Sequence, residues 1–129
     1  MNNSERITQE LTSLLSRSNK DAFVIFEDKK TKKYVQFSGS IREPLLLNLP
    51  AVALSSSELD RAKQLFAEYN IKLEKSPHGD FEGGPVTGYD YQFFMELGKD
   101  ANKAASITMR VFSEVYLLPQ NFNLGVETN

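Results

Sequence analysis

The chain has 129 residues, 40% hydrophobic and 25% charged, with a formal net charge of -2. That is the make-up of one domain able to bury a core without metal or disulfide support. The absence of cysteine excludes thiolate nucleophiles, disulfides and cysteine-based zinc or iron–sulfur sites, and the slight acidity supplies no general field for nucleic acid or anionic membrane.

The first helix is expected over residues 4–18, with Ser4 as N-cap and Ile7, Leu11, Leu14 and Leu15 at helical spacing. Its start, Met1 to Arg6, lacks the apolar stretch of a signal peptide. No apolar run anywhere approaches the roughly 20 residues of a membrane span. A cytoplasmic location without membrane contact is therefore expected. A hairpin comes next, with aromatic and β-branched strands at residues 22–27 (AFVIFE) and 34–39 (YVQFSG) around a lysine-rich turn. A third extended segment covers residues 44–49.

The second helix is expected to begin at Ser57, with Asp60 in the acidic position of a capping box, and to end near Asn70 in a left-handed turn. Residues 71–75 alternate as a short strand would. Residues 89–97 alternate strongly. Tyr89, Tyr91, Phe93, Met95 and Leu97 share one face, and Asp90, Gln92, Phe94 and Glu96 share the wetter one. A third helix is expected over residues 100–117.

The expected fold class is thus α+β, in the order α-β-β-β-α-β-β-α, with a mostly antiparallel five-stranded sheet and helices packed on it. Residues 1–129 are expected to form a single domain, with 119–129 a flexible C-terminal tail.

The third helix is unusually broad. At about 100° per residue its apolar positions spread over roughly 200° of the wheel, against roughly 100° to 120° for the other two helices. Ile107, Val111 and Leu118 lie on one flank, Met109 and Tyr116 on the other. Either the chain's own helices or tail cover these flanks, or they form a homodimer seam or a partner groove. The strands add surplus apolar surface, with Phe23, Val24, Ile25 and Phe26 on both faces of the first and Leu45, Leu46 and Leu47 on both faces of the third. Val24, Phe26, Ile107, Met109, Val111, Tyr116 and Leu118 are the candidate interface or peptide-binding residues.

Catalytic and metal chemistry find little support. His78, the only histidine, sits in Ser76-Pro77-His78-Gly79-Asp80. Residues two apart in extended chain are about 6.5–7 Å apart, too far for a base that must approach to about 3 Å. His78, Asp80, Glu82 and Asp90 match no metal-ligand spacing. The glycine-rich loop at residues 79–88 lacks the Lys-Ser or Lys-Thr and the following helix of a phosphate cradle. Lys29, Lys30, Lys32 and Lys33 form a local basic patch that reads more simply as a solvated hairpin tip than as a nucleic-acid site. No cofactor is expected.

The pairing of Phe23-Val24-Ile25-Phe26 with Tyr34-Val35-Gln36-Phe37, and the element order from Ser4 to Leu118, resemble the secretion chaperone-like fold. That group includes the small acidic chaperones of type III secretion and the YbjN-like proteins, and the chain is most similar to small cyanobacterial YbjN-like members of uncharacterised role. The resemblance implies a homodimer that binds peptide segments of a partner protein on exposed apolar surface, with no catalytic residues. The loop at 79–88 is longer than the resemblance needs. A non-enzymatic peptide- or protein-binding dimer is the leading expectation; a small-ligand binder or hydrolase built around residues 76–91 is the alternative.

Overall fold

The computed structural model describes residues 1–78, 84–86 and 88–129. Two capping boxes set where its first two helices begin. In α1 (Asn3–Leu14) the Asn2 side chain accepts from the Glu5 amide at 2.8 Å while the Glu5 carboxylate accepts from the Asn2 amide. In α2 (Ser56–Ala67) Ser55 and Glu58 exchange the same pair of bonds. Both caps fall two residues before the expected Ser4 and Ser57. A capping box needs a side chain at the third helical position long enough to reach back, and Glu5 and Glu58 provide it.

Among the described residues six strands form one sheet: β1 (Phe23–Asp28), β2 (Tyr34–Ser38), β3 (Leu46–Pro50), β4 (Glu74–His78), β5 (Gly88–Glu96) and β6 (Leu124–Thr128). Their order is β4-β5-β3-β2-β1-β6, and every neighbouring pair is antiparallel. The α+β class is as expected, but the sheet has six strands rather than five. The extra strand comes from residues 119–129, expected as a flexible tail. β6 pairs with β1 from Leu124 opposite Asp28 to Thr128 opposite Val24. Gly125 permits this, because a Cβ there would lie 3.1 Å from the Lys29 side chain that crosses it.

β4 begins at Glu74 rather than Ile71. Asn70 takes the expected left-handed conformation (φ 60°), and the Ile71 amide donates back to the Phe66 carbonyl. The residues after Asn70 therefore close the end of α2 before the chain extends.

The three described α-helices serve one face of the sheet. Val24, Phe26, Val35, Phe37, Leu47 and Phe93 point inward into a single core with Ile7, Leu11, Leu65 and Phe112. Phe66 of α2 stacks on Phe93 of β5 at 4.7 Å, and Phe26 meets Phe37 edge-on.

α3 (Ala101–Arg110) is capped by Asp100 and continues into a π-helical turn, Val111–Val115. The Tyr116 amide donates to the Val111 carbonyl, five residues back. One extra residue in a turn shifts the phase of the residues beyond it by about 100°. That shift carries Tyr116 off its expected flank and into the core, leaving Met109 on the flank half-buried.

Candidate functional site

The structure relocates most of the expected interface residues. Val24, Phe26, Ile107, Val111 and Tyr116 are all buried within the chain, and Met109 and Leu118 are half-buried against the same core. Ile107, Val111 and Tyr116 of the expected helix 3 seam are thus covered by the chain itself, and Met109 and Leu118 partly so. α1 packs along α3, and α2 packs on the π turn. Asn3 of α1 donates to the Gln120 and Phe122 carbonyls, which holds Phe122 over Phe112 with ring centres 4.4 Å apart. Arg61 of α2 donates to the Val115 carbonyl at 2.9 Å.

The surplus apolar surface lies instead on the second face of the sheet, over which no described helix packs. Alternation fixes its members. The register puts Phe23, Ser38, Leu46 and Glu96 in one row, and Glu127, Ile25, Gln36, Asn48 and Phe94 in the next. A third row holds Glu27 opposite Tyr34, and Pro50 opposite Gln92 with Glu74 beyond. Phe23, Ile25, Leu46 and Phe94 are half-buried. A shallow hollow of about 300 Å³ runs between Phe23, Leu46, Phe94, Gln36 and Asn48.

Three amide side chains cross the centre of this face. Gln36 donates to the Asn48 oxygen, and the Asn48 amide donates to the Gln92 oxygen at 2.8 Å. The ladder spans β2, β3 and β5, with Gln36 Oε1 and Gln92 Nε2 at its two ends. Sequence reasoning missed Leu46, Asn48, Gln92 and Phe94 as site residues. The available signal was one amide in each strand, at the outward position between inward apolar neighbours.

Charge on this face is uneven. Glu27, Glu74, Glu96 and Glu127 occupy outward positions by register. Lys29 lies over Gly125 at one end, and Lys32 approaches Glu27 at 3.9 Å.

The hairpin lysines do not act as one patch. Lys33 turns to the helical side and donates to the nearly buried Glu58 carboxylate at 3.0 Å. Burial pushes that carboxyl up, but hydrogen bonds from Ser55 and Lys33 outweigh it and hold Glu58 below its ordinary range. Tyr116 sits beside this pair and donates to the Tyr34 carbonyl at 2.6 Å; burial, with the Glu58 charge adding, pushes its phenol up. At the hairpin tip the buried Asp28 accepts from the Thr31 amide and hydroxyl. Burial raises the Asp28 carboxyl, yet these bonds leave it lowered.

Little on the other surfaces suggests chemistry. His78 enters β4 by its backbone pairing with Gly88, while its side chain, Asp80, Glu82 and most of the expected loop lie outside the described residues. A hollow of about 460 Å³ is lined by Pro50, Val52, Tyr89, Asp90 and Tyr91, and no serine or cysteine is among its described lining residues. Among the described residues, no three histidine, aspartate or glutamate side chains gather as metal ligands would. No described helix is long and apolar enough to cross a membrane. In a polar groove of about 520 Å³ between α1 and α3, Arg110 is held bidentately by Glu114 and also donates to Glu68 and Tyr69.

Comparison of the chain with family models, curated proteins and solved structures finds no match.

Proposed function

We propose that this chain is a non-enzymatic protein-binding module and that the helix-free face of its sheet is the docking surface. The observation that carries this reading is the amide ladder Gln36–Asn48–Gln92 inside an apolar frame of Phe23, Ile25, Leu46 and Phe94. An antiparallel sheet often leaves one face in water, but such a face normally carries polar groups that bond to solvent. Covering solvent-bonded amides costs roughly 1–3 kcal/mol for each group left unsatisfied. Here four of the six amide heteroatoms bond to one another, so a partner laid over the ladder has only Gln36 Oε1 and Gln92 Nε2, at its two ends, still to satisfy. Contiguous apolar surface of this kind marks interaction sites.

Peptide binding by a chaperone-like protein of the YbjN-like type is the finer form of the proposal. The element order α-β-β-β-α-β-β-α, followed by β6, supports it. Burial of Ile107, Val111 and Tyr116 within the chain favours the open sheet face over helix 3 as the docking surface.

A photo-reactive phenylalanine analogue placed at Phe94 tests the docking surface, with the same group at Lys63 on exposed α2 as the control. A discrete cross-linked protein from position 94, lost when Ile25→Asp is added, is the expected result. Identical products from both positions would remove the basis for the proposal.

A further inference from the structure

We infer that the occupant of the open face is a cationic amphipathic helix of another protein, an inference that rests on the docking reading above. The argument is charge complementarity. Glu74 and Glu96 lie at outward positions on β4 and β5, and Glu27 and Glu127 on β1 and β6, so carboxylates stand on both sides of the apolar centre. Against them stand Lys29 and Lys32, both confined to the hairpin end.

A second copy is a poor match for this arrangement. A two-fold stack of open face on open face would set carboxylates against carboxylates, and like charges brought together oppose association. An added strand is a poor match as well, because strand addition uses a sheet edge, whereas the apolar residues here lie mid-sheet on β1, β3 and β5. A helix rises about 5.4 Å per turn, so three turns laid across strands about 4.8 Å apart pass over β5, β3, β2 and β1 in succession. Its apolar stripe would meet Phe23, Ile25, Leu46 and Phe94. Lysines or arginines at the ends of that stripe would reach Glu96 at one end and Glu127 at the other.

The test uses the full chain and two fluorescein-labelled peptides of about 18 residues, five helical turns. One is patterned with leucine and lysine, the other with leucine and glutamate. Fluorescence anisotropy is read with and without added salt, and sedimentation of the chain alone is read in parallel. The expected result is binding of the lysine peptide at least about tenfold tighter than the glutamate peptide, the combined effect of several weak exposed ion pairs. This preference should shrink as salt shortens the screening length below about 10 Å. It should also shrink in Glu96→Lys/Glu127→Lys, whose exposed positions leave folding intact, and Ile25→Asp should weaken the lysine peptide strongly.

Equal binding of both peptides, with both lost in Ile25→Asp, would overturn the cationic occupant and keep the docking face. Binding of neither peptide, or binding indifferent to both variants, would overturn the docking reading itself. A dimer in sedimentation that Ile25→Asp dissociates would give the face to a second copy instead.

Discussion

Replacing Glu58 with alanine removes the contact that joins the β1–β2 hairpin to α2. The geometry implies two losses. The Ser55 amide loses the 2.8 Å bond that closes the capping box, a change worth about 1 kcal/mol. The Lys33 ammonium, with about a third of its side chain exposed, loses its carboxylate. A fully buried pair broken in this way costs about 3–5 kcal/mol and an exposed one about 0–1 kcal/mol. Solvent screening at Lys33 places this pair near the lower bound, at about 1 kcal/mol. Together the change is about 2 kcal/mol, or a fall of about 8 °C in Tm for a chain of this size. Thermal unfolding of Glu58→Ala, Lys33→Met and the double variant measures both terms, and the coupling between the two sites should be about 1 kcal/mol. A fall below about 2 °C for Glu58→Ala, or no coupling, would refute the view that this pair pins the hairpin.

Ending the chain at Asn123 removes β6, uncovers the edge of β1 and loses the buried Leu124; a loss of about 3 kcal/mol or more is expected in urea unfolding, and an unchanged midpoint would return 119–129 to a tail. Leu117 combines a left-handed backbone (φ 57°) with an exposed side chain. Leu117→Gly should relieve about 1–2 kcal/mol of strain and give back about 0.4–1 kcal/mol through the unfolded chain, a net rise in Tm of about 2 °C; a lower Tm would contradict the strain argument. Glu58 and Asp28 are both held below their ordinary values of 4.5 and 3.8 in the fold. Their stabilisation is present above those values and is lost as pH falls through the lowered ones. Unfolding midpoints of the natural chain should therefore drop below about pH 4, and those of Glu58→Gln/Asp28→Asn should drop less; parallel curves would contradict the assignment.

The sheet was legible because its strands alternate strictly. Tyr89 to Leu97 showed its inward face directly, although Tyr89 and Tyr91 reach past the helices and stay exposed. β6 was hidden by brevity. Leu124-Gly125-Val126 offers two apolar residues around a glycine, and only the neighbouring edge of β1 turns them into a strand. Helix 3 misled because a uniform 100° step cannot register a π turn. Such a step puts Tyr116 on a flank, whereas the extra residue rotates it inward. The open face was half visible. The two-faced apolar strands were evident in Phe23 to Phe26 and Leu45 to Leu47. Which face stays bare depended on where three helices dock, and the amide ladder depended on the pairing register; both are set by contacts distant in sequence.

The docking role of the open face is tested most directly by methyl NMR of the chain with the leucine–lysine peptide. Ile25 and Leu46 methyls face outward, whereas Leu49 and Ile107 methyls lie in the core and Met109 and Leu118 flank the helical side. Saturable shifts of Ile25 and Leu46, with Met109 and Leu118 unmoved, are predicted. Shifts confined to Met109 and Leu118, with Ile25 and Leu46 unmoved, would contradict it and return the interface to helix 3.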